Sequence, residues 1–286
     1  MKIIEDHGSF GGRQQVWEHD SAETRTPMRF SLYLPPAAED GPAPLVWFLS
    51  GLTCSEQNFI IKSGFQRYAS ELGLMVVGPD TSPRPPALDG GEVAGDPDGQ
   101  GEIGPSAGYY LDATQPPWTP HYRMRSYVER ELPALIADRF GADMSRQGMI
   151  GHSMGGHGAL TISLRNPGRF RSTSVLAPIS APSRTERGRR RLLAYLGADE
   201  QTWRPYDATR LLEDGARLPE LLVDQGADDA LMDSLRPDLL EAACAAAGQP
   251  LELRRHAGYG HNYYFVASFI GDHLRWHAQR LCSGGR

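Results

Sequence analysis

Cysteine is scarce. Cys54, Cys244 and Cys282 are the only three among 286 residues, and none has the close spacing of a disulfide staple or a zinc ligand pair. A cystine framework and a metal site are therefore not expected. Long apolar runs are missing as well: no stretch approaches the roughly 20 residues that a membrane-spanning helix needs, so no membrane partner is expected. There is no basic excess either. Against 35 Asp and Glu stand 29 Lys and Arg, a formal net charge of -6, which removes the electrostatic footprint of a nucleic-acid binder. The basic cluster Arg187 to Arg191 reads as a solvated face rather than an anion site. The N-terminal stretch carries Glu5 and Asp6 where a secretion signal would be apolar, so a reduced, cytoplasmic protein is expected.

What remains is ordinary globular material, 40% hydrophobic and 22% charged, long enough for a substantial core in a single domain over 1–286. Short β-rich runs at Leu45 to Leu49, Leu74 to Val77, Gly148 to His152, Thr173 to Ala177 and Leu221 to Asp224 each stop at Gly, Pro, Asp or Ser. Between them, Tyr127 to Phe140, Gly156 to Leu164 and Leu235 to Ala247 have helical spacing. That alternation predicts an α/β fold with a mostly parallel central sheet, helices on both faces and right-handed crossovers. Gln14 to His19 and Arg29 to Leu34 read as antiparallel N-terminal edge strands. Two irregular stretches, at about 82–106 and 181–218, read as insertions above the sheet and as candidate substrate walls.

The motif with chemical content is Gly151-His152-Ser153-Met154-Gly155, with a strand before it and a helix after it. A nucleophilic serine on such a turn is lifted above the sheet, and flanking glycines keep the turn from colliding with neighbouring backbone. A serine hydroxyl is a weak nucleophile and needs a base, which in turn needs an acid to hold its tautomer. In an α/β-hydrolase, acid and histidine follow the nucleophile in that order. Ala227-Asp228-Asp229 follows the strand Leu221 to Asp224 and offers Asp229 as the acid; Asp228 remains open because adjacent side chains diverge, and Asp224 lies too far back in the strand. His261, in the loop Gly258-Tyr259-Gly260-His261-Asn262 after the strand Leu251 to Arg255, is the expected base. His256 is the alternative, while His273 and His277 fall inside the last helix, and His152 and His157 read as packing or hydrogen-bonding residues. The backbone N–H of Met154 and that of Leu52, in the loop Ser50-Gly51-Leu52-Thr53-Cys54, are the expected oxyanion donors.

Ser50-Gly51-Leu52-Thr53-Cys54, followed by Glu56-Gln57-Asn58-Phe59, closely resembles the same stretch of the S-formylglutathione hydrolase, or esterase D, family. Further family-like segments recur in order, among them Pro79 to Arg84, Tyr122-Arg123-Met124, Gly151 to Leu160, Tyr206 to Thr209, Asp224-Gln225-Gly226 and Asn262 to Phe265, so the resemblance covers nearly the whole chain. It implies an α/β-hydrolase fold and hydrolysis of S-formylglutathione to formate and glutathione. It also implies Ser153, Asp229 and His261 as the triad, no cofactor, a homodimer, and a thiol at Cys54 near the substrate.

The sequence departs from the family pattern in three places. Asp98 to Gly104 replaces a Trp-Asp-Phe-Gly stretch, Ala181 to Gly188 lacks a Cys-Pro-Trp-Gly, and Gly260 stands where an Asp is common. The first two lie in the expected substrate walls. A general short-chain carboxylesterase would use the same catalytic residues, an acyltransferase would pass the acyl group to an alcohol, and a non-catalytic interaction protein would keep the fold alone.

Overall fold

The computed structural model describes residues 1–282. Among the described residues nine strands form one continuous sheet: β1 (Lys2–Ser9), β2 (Gly12–Asp20), β3 (Pro27–Leu34), β4 (Ala43–Leu49), β5 (Met75–Pro79), β6 (Ala142–His152), β7 (Ser172–Leu176), β8 (Leu221–Gly226) and β9 (Leu251–His256). Their spatial order is β1-β2-β3-β5-β4-β6-β7-β8-β9. β1, β2, β3 and β5 pair antiparallel, and from β5 to β9 every pairing is parallel. The helices, in chain order, are α1 (Glu56–Lys62), α2 (Phe65–Leu72), α3 (Met124–Ser126), α4 (Leu132–Arg139), α5 (Met154–Arg165), α6 (Glu186–Leu196), α7 (Ala208–Glu213), α8 (Met232–Leu235), α9 (Pro237–Ala247) and α10 (Tyr263–Cys282). None of them is long and apolar enough to cross a membrane.

The parallel strands are apolar on both sides because both sides are covered. All of β4 is buried, Trp47 and Phe48 included, and each large side chain so removed from water contributes about 1.5–3 kcal/mol. β6 shows the two layers directly. A Cβ on Gly148 would meet His277 of α10 at 2.5 Å, whereas one on Gly151 would meet the Gly155 carbonyl oxygen of α5 at 2.0 Å. Positions three apart on a strand face opposite ways, so α10 and α5 lie on opposite faces.

Several local expectations need correction. Gln14 to His19 and Arg29 to Leu34 do pair antiparallel, but the outermost strand is β1, whose residues are nearly all exposed and carry no burial pattern. Tyr127 to Phe140 is not one regular α-helix: a π-helical turn at Tyr127–Glu131 separates α3 from α4. Leu235 to Ala247 breaks at Arg236, which is left-handed at φ 51°, so that α9 begins at Pro237, a favoured first helical residue.

The stretch 181–218 folds into α6 and α7, with one 3-10 turn before α6 and another between the two helices, and Val93, Ala94 and Ile103 bury the stretch 82–106 against the body. Arg187 to Arg191 is not a simple solvated face. Arg187 and Arg191 pair with Glu102, Arg190 with Asp98 and Arg189 with Glu200, and the Arg191 side chain is only 4% exposed.

Candidate active site

The chain turns back at the middle of the sheet: β4 has β5 on one side and β6 on the other. A crevice at the carboxyl ends of two such strands is where an open α/β sheet binds ligands. The loop after β4 and the turn after β6 meet there, and an added Cβ on Gly51 would stand 3.1 Å from that of Ser153.

Ser153 has φ 58° and ψ -118°, a conformation costly for a residue with a side chain. Close packing enforces it. A Cβ on Gly151 would strike Gly155, and one on Gly155 would lie 1.9 Å from the Leu49 carbonyl oxygen, so α5 starts where only glycine backbone can pass over β4 and β6. The Ser153 N–H is held by the Leu176 carbonyl at 3.0 Å, and the Ser153 carbonyl accepts from His157 and Ile179.

Three side chains from three separate loops converge. His261 Nε2 lies 2.7 Å from Ser153 Oγ, and His261 Nδ1 lies 2.7 Å from Asp229 Oδ2. The Asp229 side chain is fully buried; burial alone would raise its pKa, but the His261 contact, the Leu231 N–H and the Gln225 amide reverse that and hold it below the usual carboxylate range. Such a chain lets an imidazole take the hydroxyl proton while a fixed carboxylate stabilises the cation that forms.

The loops carrying these groups are laced together. Ala227 N–H bonds the His256 carbonyl, Asp228 N–H bonds the Tyr259 carbonyl, and Asp228 Oδ2 accepts from Gly258 N–H at 2.8 Å. The candidates left open by the sequence thus separate. Asp228 braces the histidine loop. Asp224 is wholly buried, bonded to Arg254 at 2.5 and 2.8 Å and facing His273, and its pKa is depressed: burial opposes the shift, and the His273 and Arg254 bonds outweigh burial.

His256 stacks on Phe269 at 3.8 Å, away from Ser153. His273 and His277 form a buried network with Ser172 and Ser174, tying α10 to β7. His152 and His157 are also buried, with no hydrogen-bond partner on either ring among the described residues. Burial first, then the His261 charge, pushes His152 down to about 3, and burial pushes His157 down to about 4. His152 acts as an apolar plate, 4.9 Å from the His261 ring.

Met154 opens α5, so its N–H has no acceptor within the helix. The Leu52 N–H donates to no backbone carbonyl among the described residues. Its loop is pinned on either side: Ser50 O accepts from Tyr110 Oη at 2.9 Å, Thr53 N–H reaches Ser106 O at 3.1 Å, and Cys54 O accepts from Thr81 Oγ1 at 2.5 Å. Two amides held this way can receive a developing oxyanion without reorganising. Cys54 lines the same cavity, but burial pushes its thiol up, so it carries little thiolate. Among the described residues no group of His, Cys, Asp and Glu could hold a metal ion.

Comparison with known proteins gives the arrangement its relatives. Residues 21–276 match the family model described as "Putative esterase". The chain is 48% identical over 280 residues to the S-formylglutathione hydrolase of Paracoccus denitrificans, covering 98% of both chains, and 48% identical over 285 residues to that of Mus musculus, covering 98% of this chain and 99% of the other. A solved S-formylglutathione hydrolase from Agrobacterium tumefaciens superposes with a TM-score of 0.94 at 52% identity, over 98% of this chain and 100% of that one. The chain belongs to the S-formylglutathione hydrolase family.

Within that family, the departures fall in a different place from the one expected. The cavity of about 710 Å³ over Ser153 takes one wall from Asn58 and Lys62 of α1 and the other from Tyr263, Tyr264 and Ala267 of α10. Neither 82–106 nor 181–218 lines the space directly over Ser153, although Arg84, Pro85, Pro86 and Ser106 of the first stretch line an adjoining cavity that shares Thr53, Cys54 and Asn58 with it. The two stretches also hold each other, through Asp98 to Arg190 and Glu102 to Arg187 and Arg191, and the first of them buttresses Thr53. The two departures from the family pattern in these stretches therefore meet in one contact. At Gly260 a Cβ would meet only the Asp228 carbonyl at 3.7 Å, an ordinary contact, so glycine there is not required by space.

The α1 wall and the start of the α10 wall had no signal beyond their family-like sequence. Neither Lys62 nor Tyr264 stood out as a site residue, because an exposed lysine and an exposed tyrosine at helix ends look like ordinary surface.

Proposed function

We propose that this protein is a serine thioesterase that hydrolyses S-formylglutathione to glutathione and formate, the step that completes formaldehyde detoxification. The observation that carries the reading is the pair of 2.7 Å contacts joining Ser153 to His261 and His261 to Asp229 in a chain of this family.

In this mechanism His261 Nε2 takes the Ser153 proton as Oγ attacks the thioester carbonyl, and Asp229 holds the imidazolium. The Leu52 and Met154 N–H groups receive the oxyanion; one such donor is worth on the order of 3 kcal/mol of barrier. Collapse expels the glutathione sulfur, which takes the proton from His261 and leaves a formyl ester on Ser153. Water, deprotonated by His261, then attacks the ester, and formate leaves as the proton returns to Ser153. No step needs a metal or organic cofactor.

Steady-state kinetics decide between this reading and its neighbours. A kcat/KM on S-formylglutathione well above that on p-nitrophenyl acetate supports it. Equal or inverse values would make the protein a general short-chain carboxylesterase. Ester products formed with added alcohols would make it an acyltransferase. The cytoplasmic location expected from the sequence and the homodimer implied by the family resemblance belong to the same proposal, and light scattering on the purified protein tests the dimer.

A further inference from the structure

Among the described residues that line the cavity over Ser153, Lys62 alone carries a permanent side-chain charge. Asn58 and Lys62 stand four residues apart on α1, so both face the cleft, and Lys62 sits in the last helical turn with its ammonium 5.7 Å from the ring centroid of Tyr263 across it. The other ionisable side chains of the lining are His152, His261, Cys54 and two tyrosines, and no carboxylate is among them. Lys62 is exposed and forms no ion pair among the described residues. Nearby arginines are already committed, Arg29 to Glu18 and Arg84 to Asp80. A cation that rests over an aromatic ring and has no carboxylate partner among the described residues, at the mouth of a cleft lined by Ser153, is placed for an anion entering with the substrate.

An acyl-glutathione brings such an anion. Its formyl end is one carbon, while its thiol end is a tripeptide with two carboxylates and one ammonium. We infer that Lys62 is the specificity-determining residue for the thiol half, binding a carboxylate of the tripeptide at the α1 wall while the acyl group sits between Ser153 and the oxyanion amides. This rests on the thioesterase reading above. Because the contact lies far along the leaving group and is the same before and during attack, it acts on substrate binding rather than on the chemical step.

The test compares the wild-type enzyme with Lys62→Met and Lys62→Arg on S-formylglutathione and on neutral p-nitrophenyl acetate. Lys62→Met should raise KM for the thioester about 10-fold with kcat nearly constant, equivalent to about 1.4 kcal/mol. The ratio of its kcat/KM values for charged and neutral substrate should fall by the same factor. Lys62→Arg should restore most of the loss, and the wild-type KM should rise with added salt, a rise that Lys62→Met should blunt. An unchanged KM in Lys62→Met, or an equal loss on both substrates, would overturn the inference while leaving the thioesterase intact. If the wild type itself fails to turn over S-formylglutathione, the underlying reading falls and takes this one with it.

Discussion

Asp228 and Asp229 are neighbours in the chain whose carboxylates serve opposite ends of one loop. Asp229 accepts from His261 at 2.7 Å, while Asp228 turns away and accepts the Gly258 N–H at 2.8 Å, three residues before that histidine. One orients the imidazole and the other shapes the backbone that delivers it. Asp229→Asn is expected to lower kcat/KM on the order of 10⁴-fold, because the amide favours the wrong tautomer. Asp228→Asn should cost far less, since an amide oxygen can still accept from Gly258. Comparable losses in the two variants would contradict this division.

Ser153 offers a second separation, between chemistry and backbone strain. Ser153→Ala should reduce turnover by at least about 10⁴-fold while the protein stays folded. Ser153→Gly should be as inactive yet more stable than Ser153→Ala by about 1 kcal/mol, because φ 58° with ψ -118° suits only glycine. Thermal denaturation of the two variants measures the difference. A wild-type rate in Ser153→Ala would end the assignment of the nucleophile.

Stability should fall on mild acidification. His152, His157 and His277 are held neutral by burial, their folded pKa values lying below the value of about 6.5 they regain when unfolded. Below pH of about 6.5 the unfolded chain therefore binds protons that the folded one does not, at up to about 1.4 kcal/mol per pH unit for each histidine. The effect ends only below the folded values, about 3 for His152 and about 4 for His157. Asp224, whose pKa is depressed in the fold, adds a further loss as pH falls below its unfolded value of about 4. Urea midpoints should drop steadily from neutral pH downward, and a flat profile would refute the burial argument.

Glu102 carries two arginines, one of them almost wholly buried. Glu102→Gln strands the Arg191 charge and should destabilise the protein by about 2–3 kcal/mol, a lowering of Tm by roughly 5 °C. Since neither Glu102 nor its two arginines line the cavity over Ser153, kcat/KM measured below the transition should change little. Loss of activity without loss of Tm would mean that the insertions reach the substrate after all.

The parallel half of the sheet was legible because its strands are buried on both faces and read as short apolar runs, as β4 and β8 do. β1 was not. An edge strand exposed along nearly its whole length is fixed by pairing to β2 rather than by its own pattern. The break at Arg236 was hidden because helix formers lie on both sides of it, and only the following proline marks the true start of α9. In the site, Ser153 and His261 carry local glycine signatures, whereas the choice between Asp228 and Asp229 depends on side-chain direction, which spacing does not encode. The helical walls over Ser153 were not legible, because loop length points to the long stretches whereas Asn58, Lys62, Tyr264 and Ala267 look like ordinary helix surface. The long stretches are tied to each other by ion pairs, and the cavity directly over Ser153 is lined by two helix ends.

That division makes the binding cleft unusually easy to redesign. Asn58, Lys62, Tyr264 and Ala267 project from helical turns outside the sheet. Under the thioesterase reading, a small combinatorial library at these four positions should shift the preference among leaving groups of different size or charge, with Ser153, His261, Asp229 and the Leu52 and Met154 amides left untouched.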